Sequence, residues 1–162
     1  IRGLTWDRVD FVGRTVLIDR VITDASLGKF EPPKTQHSYR TVDLVEPAFD
    51  ALVSYKQYSF LAGHLIFLNP NTGQPYSTTN KIRTQWISVL KKAGVRYRVP
   101  YQTRHTYAST SLAVGEDLAY IAKQMGHSDI SVTLKYYARF VKNTGVKHGS
   151  KVEEAYKNSL AV

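Results

Sequence analysis

The sequence has 162 residues, 43% of them apolar, which suffices for one compact domain with a core of ordinary size and argues against disorder. Its 22 lysines and arginines outnumber 13 aspartates and glutamates, and the resulting charge of +9 suits a polyanionic partner such as nucleic acid or an acidic membrane surface. The absence of cysteine excludes disulfides and thiolate metal sites, the five scattered histidines predict no metal site, and no apolar run reaches the roughly 20 residues of a spanning helix, so these features predict a cytosolic protein.

The N-terminal part has the composition of β-strands. Residues 15–23 are rich in β-branched side chains, and residues 38–44 alternate polar with apolar in the period of a half-buried strand. The segment 25–29 between them suits a turn, and Pro32-Pro33 is incompatible with a regular central strand. We therefore expect a small antiparallel sheet of two or three strands, with one edge near Lys34.

Two longer helices, joined by a loop, are predicted next. Apolar residues on one helical face indicate a helix from Glu46 to about Ser59, with a proline in its first turn. The segment 69–75 is dense in turn-forming residues and predicts a loop. A second helix should begin at a cap provided by Ser77 or Thr78 and end at Gly94. Its apolar stripe comprises Ile82, Trp86, Val89 and Leu90.

Three shorter helices follow. The first should run from near Gln102 to Gly115, and the second from a cap at Asp117 to Gly126. The third should begin at a cap formed by Ser128 or Asp129, and residues 151–160 are compatible with a last short helix. Together these patterns predict an α+β fold that is mainly α-helical, with a small antiparallel sheet near the N-terminus.

Three stretches in the C-terminal half carry side chains suited to phosphate chemistry. Residues 101–109 include Arg104, residues 125–127 end in His127, and a tyrosine pair stands at 136–137. A guanidinium grips two phosphate oxygens while it stays protonated, an imidazole exchanges protons near neutrality, and a phenol is a nucleophile. This set is equipped to cut a phosphodiester with a tyrosine, a reaction that needs neither metal nor cofactor.

These stretches resemble motifs of the tyrosine recombinase (phage integrase) family. The run Pro100-Tyr101-Gln102-Thr103-Arg104-His105-Thr106 is similar to the family's second conserved box, and Met125-Gly126-His127 followed by a tyrosine is similar to its third. The resemblance implies the catalytic-domain fold of DNA breaking-rejoining enzymes, and site-specific recombination or integration through a 3′-phosphotyrosine intermediate. It also implies double-stranded DNA as the partner, bound by a homotetramer of the full-length protein, with no membrane and no small-molecule substrate.

The same resemblance implies that part of the family's domain precedes this chain. In the family the first catalytic arginine lies just upstream of a Gly-Leu-x-Trp segment, and here Leu4-Thr5-Trp6 begins almost at once. We therefore expect residues 1–162 to be the C-terminal catalytic domain of a longer recombinase, without its N-terminal DNA-binding domain or the start of the catalytic domain. We also expect the isolated fragment to be inactive, since losing one preorganised donor typically lowers rates by roughly 10²–10³.

Arg104 and His127 are the candidate phosphate-binding and proton-handling groups. An isolated Arg104 would suggest a surface residue or an ion-pair partner, but the resemblance implies that it holds the scissile phosphate. His127 follows a glycine between two helices, where an imidazole can share the proton of an attacking phenol or brace a phosphate oxygen; the alternative is a satisfied core histidine. His105 lies about 100° around the helix from Arg104, and we interpret it as a structural hydrogen-bonder.

The candidate nucleophile is Tyr136 or Tyr137, and helix geometry alone does not choose between them. Neighbouring side chains on a helix point about 100° apart, so only one of the two can reach the phosphorus. The string Tyr137-Ala138-Arg139-Phe140-Val141 is similar to the pattern that follows the nucleophile in related integrases, and the resemblance therefore favours Tyr137. The shared stripe of Tyr137 with Ile130 and Leu134 instead suggests packing.

Tyr101 and Lys34 complete the candidate set. Tyr101 stands where the family usually has histidine; its phenol can donate one hydrogen bond to the phosphate but is neutral near pH 7, and a packed aromatic is an equal alternative. Lys34 lies in the string Pro33-Lys34-Thr35-x-x-Ser38-x-Arg40, which is similar to the family's β-turn lysine motif and implies a general acid for the leaving 5′ oxygen. The alternatives are a DNA-backbone clamp and a plain surface lysine.

Two other functions remain open at this level. A type IB topoisomerase would relax DNA with similar groups without exchanging strands, although Leu4-Thr5-Trp6 and Met125-Gly126-His127 are more typical of integrases. A basic DNA-binding domain that has kept the fold and lost the chemistry is the non-enzymatic alternative, and Tyr101 is the residue that favours it.

Overall fold

The computed structural model describes residues 1–140, so the expected helix at 151–160 lies outside the described residues. The predicted antiparallel sheet near the N-terminus is confirmed, with three strands in the order β1-β2-β3. The strands are β1 (Val9–Asp10), β2 (Thr15–Ile18) and β3 (Arg40–Asp43).

The strands are shorter than the β-branched run predicted. Ile18 pairs with Arg40 at the end of the ladder, and between these two residues the chain makes only an isolated bridge from Val21 to Glu31. High β-propensity cannot extend a strand that lacks a partner, and the facing segment contains two prolines without amide hydrogens. Lys34 consequently lies in an exposed loop, just before a 3₁₀ turn at Gln36–Ser38, rather than in the sheet.

Five α-helices occupy the remainder of the described residues, at positions close to those predicted. None of these helices is both long and apolar enough to cross a membrane. Their bounds are α1 (Glu46–Ser59), α2 (Thr79–Lys92), α3 (Gln102–Ala113), α4 (Leu118–Met125) and α5 (Ile130–Tyr137).

The side-chain caps form at α4 and α5 but not at α2. Asp117 accepts a hydrogen bond from the Tyr120 amide at 2.7 Å, and Asp129 accepts one from the Ser131 amide at 2.9 Å. Thr78 occupies the N-cap position of α2, but its side chain makes no capping hydrogen bond. The apolar stripe of α2 is only partly covered, and Val89 is exposed.

Two apolar clusters form the core. The first lies beneath the sheet and α1 and consists of Trp6, Val16, Leu52 and Ile66. The second lies among α3, α4 and α5 and consists of Ala108, Leu112, Ile121, Met125 and Tyr137.

Strand β3 and helix α4 join the two clusters through one buried glutamine. Gln124 donates from Nε2 to the Asp43 carboxylate at 2.8 Å and accepts from the Asp43 amide at 2.9 Å. Because both ends of the amide are used, the sheet and the C-terminal end of α4 are held in a fixed relation.

Helix α4 ends at Gly126 in the left-handed conformation, and the site is also crowded. Its φ is +68°, and an added Cβ would lie 2.9 Å from Arg40 Nη1 and 3.1 Å from the His37 carbonyl oxygen. Gly94 has nearly the same φ, +66°, but no atom within 4 Å of an added Cβ. The two glycines therefore separate backbone strain from crowding.

We expect Gly126→Ala to lower the free energy of unfolding by roughly 2–5 kcal/mol, the sum of left-handed strain and overpacking. Gly94→Ala should lower it by only about 1–2 kcal/mol, from strain alone. Urea unfolding of the two variants measures both terms, and equal losses would show that Arg40 and His37 yield to the added methyl group.

Candidate active site

Candidate side chains from two helices and a loop meet at the C-terminal end of α4. Arg104, on α3, donates from Nη2 to the Met125 carbonyl oxygen at 2.6 Å. The Met125 side chain packs in the same buried cluster as Tyr137 of α5. His127 follows directly after the turn at Gly126. Arg104, His127 and Tyr137 are thus gathered around Met125–Gly126.

Arg104 retains hydrogen-bonding capacity after this contact. Its Nε is buried and meets no acceptor among residues 1–140. A buried N–H without a partner is uncommon and unfavourable in folded proteins. Within residues 1–140 the guanidinium is therefore held by a single hydrogen bond, to the Met125 carbonyl oxygen.

His127 is oriented by α5 and is easier to deprotonate than an ordinary histidine. Its Nδ1 lies 2.7 Å from Oγ1 of the fully buried Thr133. Burial lowers the pKa of His127, and the positive charges of Arg104 and Arg40 lower it further. The neutral imidazole therefore predominates at pH 7, and within residues 1–140 nothing hydrogen-bonds to its Nε2.

Tyr137 is buried and its hydroxyl is engaged. The side chain is 5% exposed, and its hydroxyl lies 2.6 Å from Nδ1 of His105. Burial raises the pKa of Tyr137, the Arg104 charge partly opposes this, and Tyr101 raises it slightly. The hydroxyl is therefore protonated at neutral pH and close enough to Arg104 to sense its charge.

Tyr136 differs sharply from its neighbour. Its side chain is 60% exposed, and its ring meets the Tyr137 ring edge to face at 6.5 Å. The two tyrosines therefore face different surroundings, as the 100° spacing of helical neighbours predicts. The packing expected from the Tyr137 stripe is present, but Leu134, on the same stripe, remains exposed.

Tyr101 and Lys34 stand at the margin of this arrangement. Tyr101 is 62% exposed and packs its ring edge to face against His105, with centroids 5.2 Å apart. Lys34 is exposed, and no residue of 1–140 joins it by a hydrogen bond or ion pair to the other candidates. The structure gathers Arg104, His127 and Tyr137, places Tyr101 beside them, and leaves Lys34 apart.

Sequence reasoning missed Arg40 as a member of the site. Its guanidinium donates from Nε to the Gln124 carbonyl oxygen at 2.9 Å and lies against Gly126. A signal was available, because Arg40 and Val42 occupy the inward-facing positions of β3. An arginine on the covered face of a strand needs acceptors from elsewhere in the fold.

Comparison with known proteins identifies the family of the chain. The phage integrase family model matches residues 1–143. The prophage integrase IntR of Escherichia coli K12 is 31% identical over 166 residues, covering 87% of this chain and 39% of IntR. The transposase from transposon Tn916 of Enterococcus faecalis is 29% identical over 154 residues, covering 84% of this chain and 37% of that protein. The chain thus spans about two fifths of the length of the curated relatives it matches.

Solved structures confirm the fold. The Tn1549 transposon integrase in complex with a circular intermediate DNA superposes with a TM-score of 0.72 at 23% identity, covering 95% of this chain and 52% of that one. XerA recombinase superposes with a TM-score of 0.64 at 20% identity, covering 98% and 50%. At these identities the likeness shows the α+β catalytic-domain fold alone. Since the family model spans nearly the whole of the chain, the protein belongs to the phage integrase family, as the motifs at 101–109 and 125–127 predicted.

Proposed function

We propose that this chain is the catalytic domain of a site-specific tyrosine recombinase that cuts and rejoins DNA through Tyr137. The observation that carries the proposal is the convergence of Arg104, His127 and Tyr137, from separate elements, on the Met125–Gly126 turn. Relatives named integrase and transposase, and a structural neighbour solved in complex with circular intermediate DNA, support it. The activity of the whole protein is part of this proposal.

The proposed cleavage forms one bond at phosphorus and breaks another. The Tyr137 oxygen attacks the scissile phosphorus and releases its proton to His127, whose lowered pKa keeps the acceptor form populated. Arg104 stabilises the charge that develops on the non-bridging oxygens. The 5′ oxygen leaves with a proton from Lys34, and a 3′-phosphotyrosine remains. A second DNA hydroxyl can attack this phosphorus, release Tyr137 and rejoin the strand.

The hydroxyl of Tyr137 has to be released before it can attack. In the structure it is bound to His105 and the side chain is almost fully buried. Cleavage in this proposal therefore requires α5 to shift so that the hydroxyl exchanges His105 for the phosphorus held by Arg104. Tyr101, exposed beside His105, donates a hydrogen bond to the phosphate in the place of the family's histidine.

The partners follow from the same proposal. The whole protein acts in the cytoplasm on double-stranded DNA as a homotetramer. Lys34, on its exposed loop, reaches the DNA without a preformed contact to the other candidates.

Burial of Tyr137 favours a second candidate, a basic DNA-binding domain without chemistry. A duplex that carries the protein's recombination sequence and a nick beside the scissile bond separates the two, because the released strand diffuses away and the covalent complex accumulates. A labelled adduct that resists denaturing electrophoresis supports the recombinase. Stable binding by the whole protein without an adduct supports the second candidate.

We expect the 162-residue chain to bind double-stranded DNA weakly and with little sequence preference, because its charge is +9 and backbone contacts carry no sequence information. With about four phosphate contacts, affinity should fall roughly 100-fold between 50 and 200 mM salt. Fluorescence anisotropy across a salt series, with a scrambled duplex as the control, measures both. Salt-independent binding, or strong preference for one duplex, would contradict the expectation.

A further inference from the structure

Arg40 is a half-buried cation whose partners are carbonyl groups rather than acids. It donates from Nε to the Gln124 carbonyl oxygen at 2.9 Å and from Nη1 to the Ser38 carbonyl oxygen at 3.1 Å. Within residues 1–140 no carboxylate forms an ion pair with it. Its position at the C-terminal end of α4 is favourable, because the last carbonyls of a helix carry partial negative charge.

The guanidinium also fills the space that a side chain at 126 would need. A Cβ on Gly126 would lie 2.9 Å from Arg40 Nη1 and 3.1 Å from its Cζ. The guanidinium therefore lies against the turn between Met125 and His127. A second contact joins the end of α4 to the same strand: the Gln124 side chain bonds both the amide and the carboxylate of Asp43.

We propose that Arg40 is a positioning residue of the candidate active site: it fastens the turn 124–127 to strand β3 and so sets where Arg104 and the His127 imidazole stand. The position of Arg104 depends on this turn because its guanidinium donates a hydrogen bond to the Met125 carbonyl oxygen. The expected effect on cleavage rests on the proposed function, whereas the expected effect on the placement of Arg104 and His127 does not. It adds a residue that touches neither the phosphate nor the nucleophile.

Arg40 has an electrostatic consequence as well. The groups that face His127 are Arg104 from α3, Arg40 from β3 and Thr133 from α5, with Lys123, Asp129 and His37 lining the same cavity. Burial and the two guanidinium charges all lower the pKa of His127. Removing the Arg40 charge therefore raises that pKa toward the ordinary value, so more of the imidazole is protonated on the acid side of neutrality.

The first test measures the pKa of His127 and does not depend on DNA cleavage. The pKa of His127 is measured by NMR titration of the imidazole in the 162-residue chain, in Arg40→Gln, and in Arg40→Lys as the conservative variant. Arg96→Gln removes the same charge from an exposed loop and is the matched control. The pKa should rise in Arg40→Gln, stay lower in Arg40→Lys, and be unchanged in Arg96→Gln. An unchanged pKa in a folded Arg40→Gln overturns the proposal.

The second test measures cleavage in the whole protein with the nicked duplex. Both Arg40→Gln and Arg40→Lys should slow adduct formation by roughly 10–100-fold, the effect of misplacing reacting groups, while DNA affinity stays within about twofold. The acid limb of the pH–rate profile should shift to higher pH in Arg40→Gln only. Cleavage at the parental rate in both variants overturns the proposal. If the parent forms no adduct, the proposed function fails, and the His127 titration still decides the role of Arg40.

Discussion

Replacing Tyr137 by phenylalanine in the whole protein should abolish the covalent protein–DNA adduct and leave DNA affinity nearly unchanged. The substitution removes one oxygen and keeps the ring, so the nucleophile is lost while the buried cluster around Met125 keeps its volume. The measurement is denaturing electrophoresis of labelled nicked duplex, paired with equilibrium binding to the same DNA. An adduct at the parental level would exclude Tyr137 as the nucleophile.

Tyr136→Phe is the matched control, because it makes the same chemical change one residue away on an exposed side chain. Tyr136→Phe should retain substantial cleavage, since the Tyr136 side chain points about 100° away from Tyr137 around the helix. Swapped outcomes would move the nucleophile to Tyr136 and keep the mechanism. If both variants still form the adduct, the phosphotyrosine proposal fails and the basic DNA-binding domain becomes the better account.

A stability control accompanies Tyr137→Phe, because the hydroxyl is also a structural partner. Removing it leaves Nδ1 of the half-buried His105 without its 2.6 Å contact, which costs about 1–3 kcal/mol of unfolding free energy. Urea unfolding of the 162-residue chain detects this loss. A variant that stays folded and binds DNA but forms no adduct separates loss of chemistry from loss of structure.

The helical half was predictable because its signals are local. Asp117 and Asp129 cap their own helices within three residues, and Gly126 ends α4 in a conformation that glycine adopts without strain. Periodicity likewise predicted α1 to its observed bounds, Glu46–Ser59. Such features depend on neighbours in sequence, so the sequence contains what determines them.

The features that sequence reasoning missed depend on residues distant in the chain. The contact between Arg40 and Gln124 spans 84 positions, and the contact between His105 and Tyr137 spans 32. The role of His105 as a hydrogen-bonder followed from helix geometry, but its partner did not. The length of β2 also depended on a partner strand that the prolines at 32–33 deny it. Pairings of this kind are set by topology, which composition and periodicity leave open.

Arg104→Lys in the whole protein should slow adduct formation by roughly 10²–10³, the usual effect of removing one preorganised charge-stabilising donor. Lysine keeps the charge, but it lacks the planar fork that holds the Met125 carbonyl with one nitrogen and offers others to the phosphate. Single-turnover rates on the nicked duplex measure the effect, and DNA affinity should change little because the net charge is preserved.

Arg96→Lys, in an exposed loop outside the site, is the matched control and should cleave at the parental rate. The size of the rate loss distinguishes Arg104→Lys from Arg40→Lys, since both variants keep a cation near His127 but only Arg104 contacts the phosphate in the proposed mechanism. The Arg104 loss should therefore exceed the Arg40 loss at every pH. Equal losses would place Arg104 among the positioning residues, and a different cation would then have to hold the phosphate.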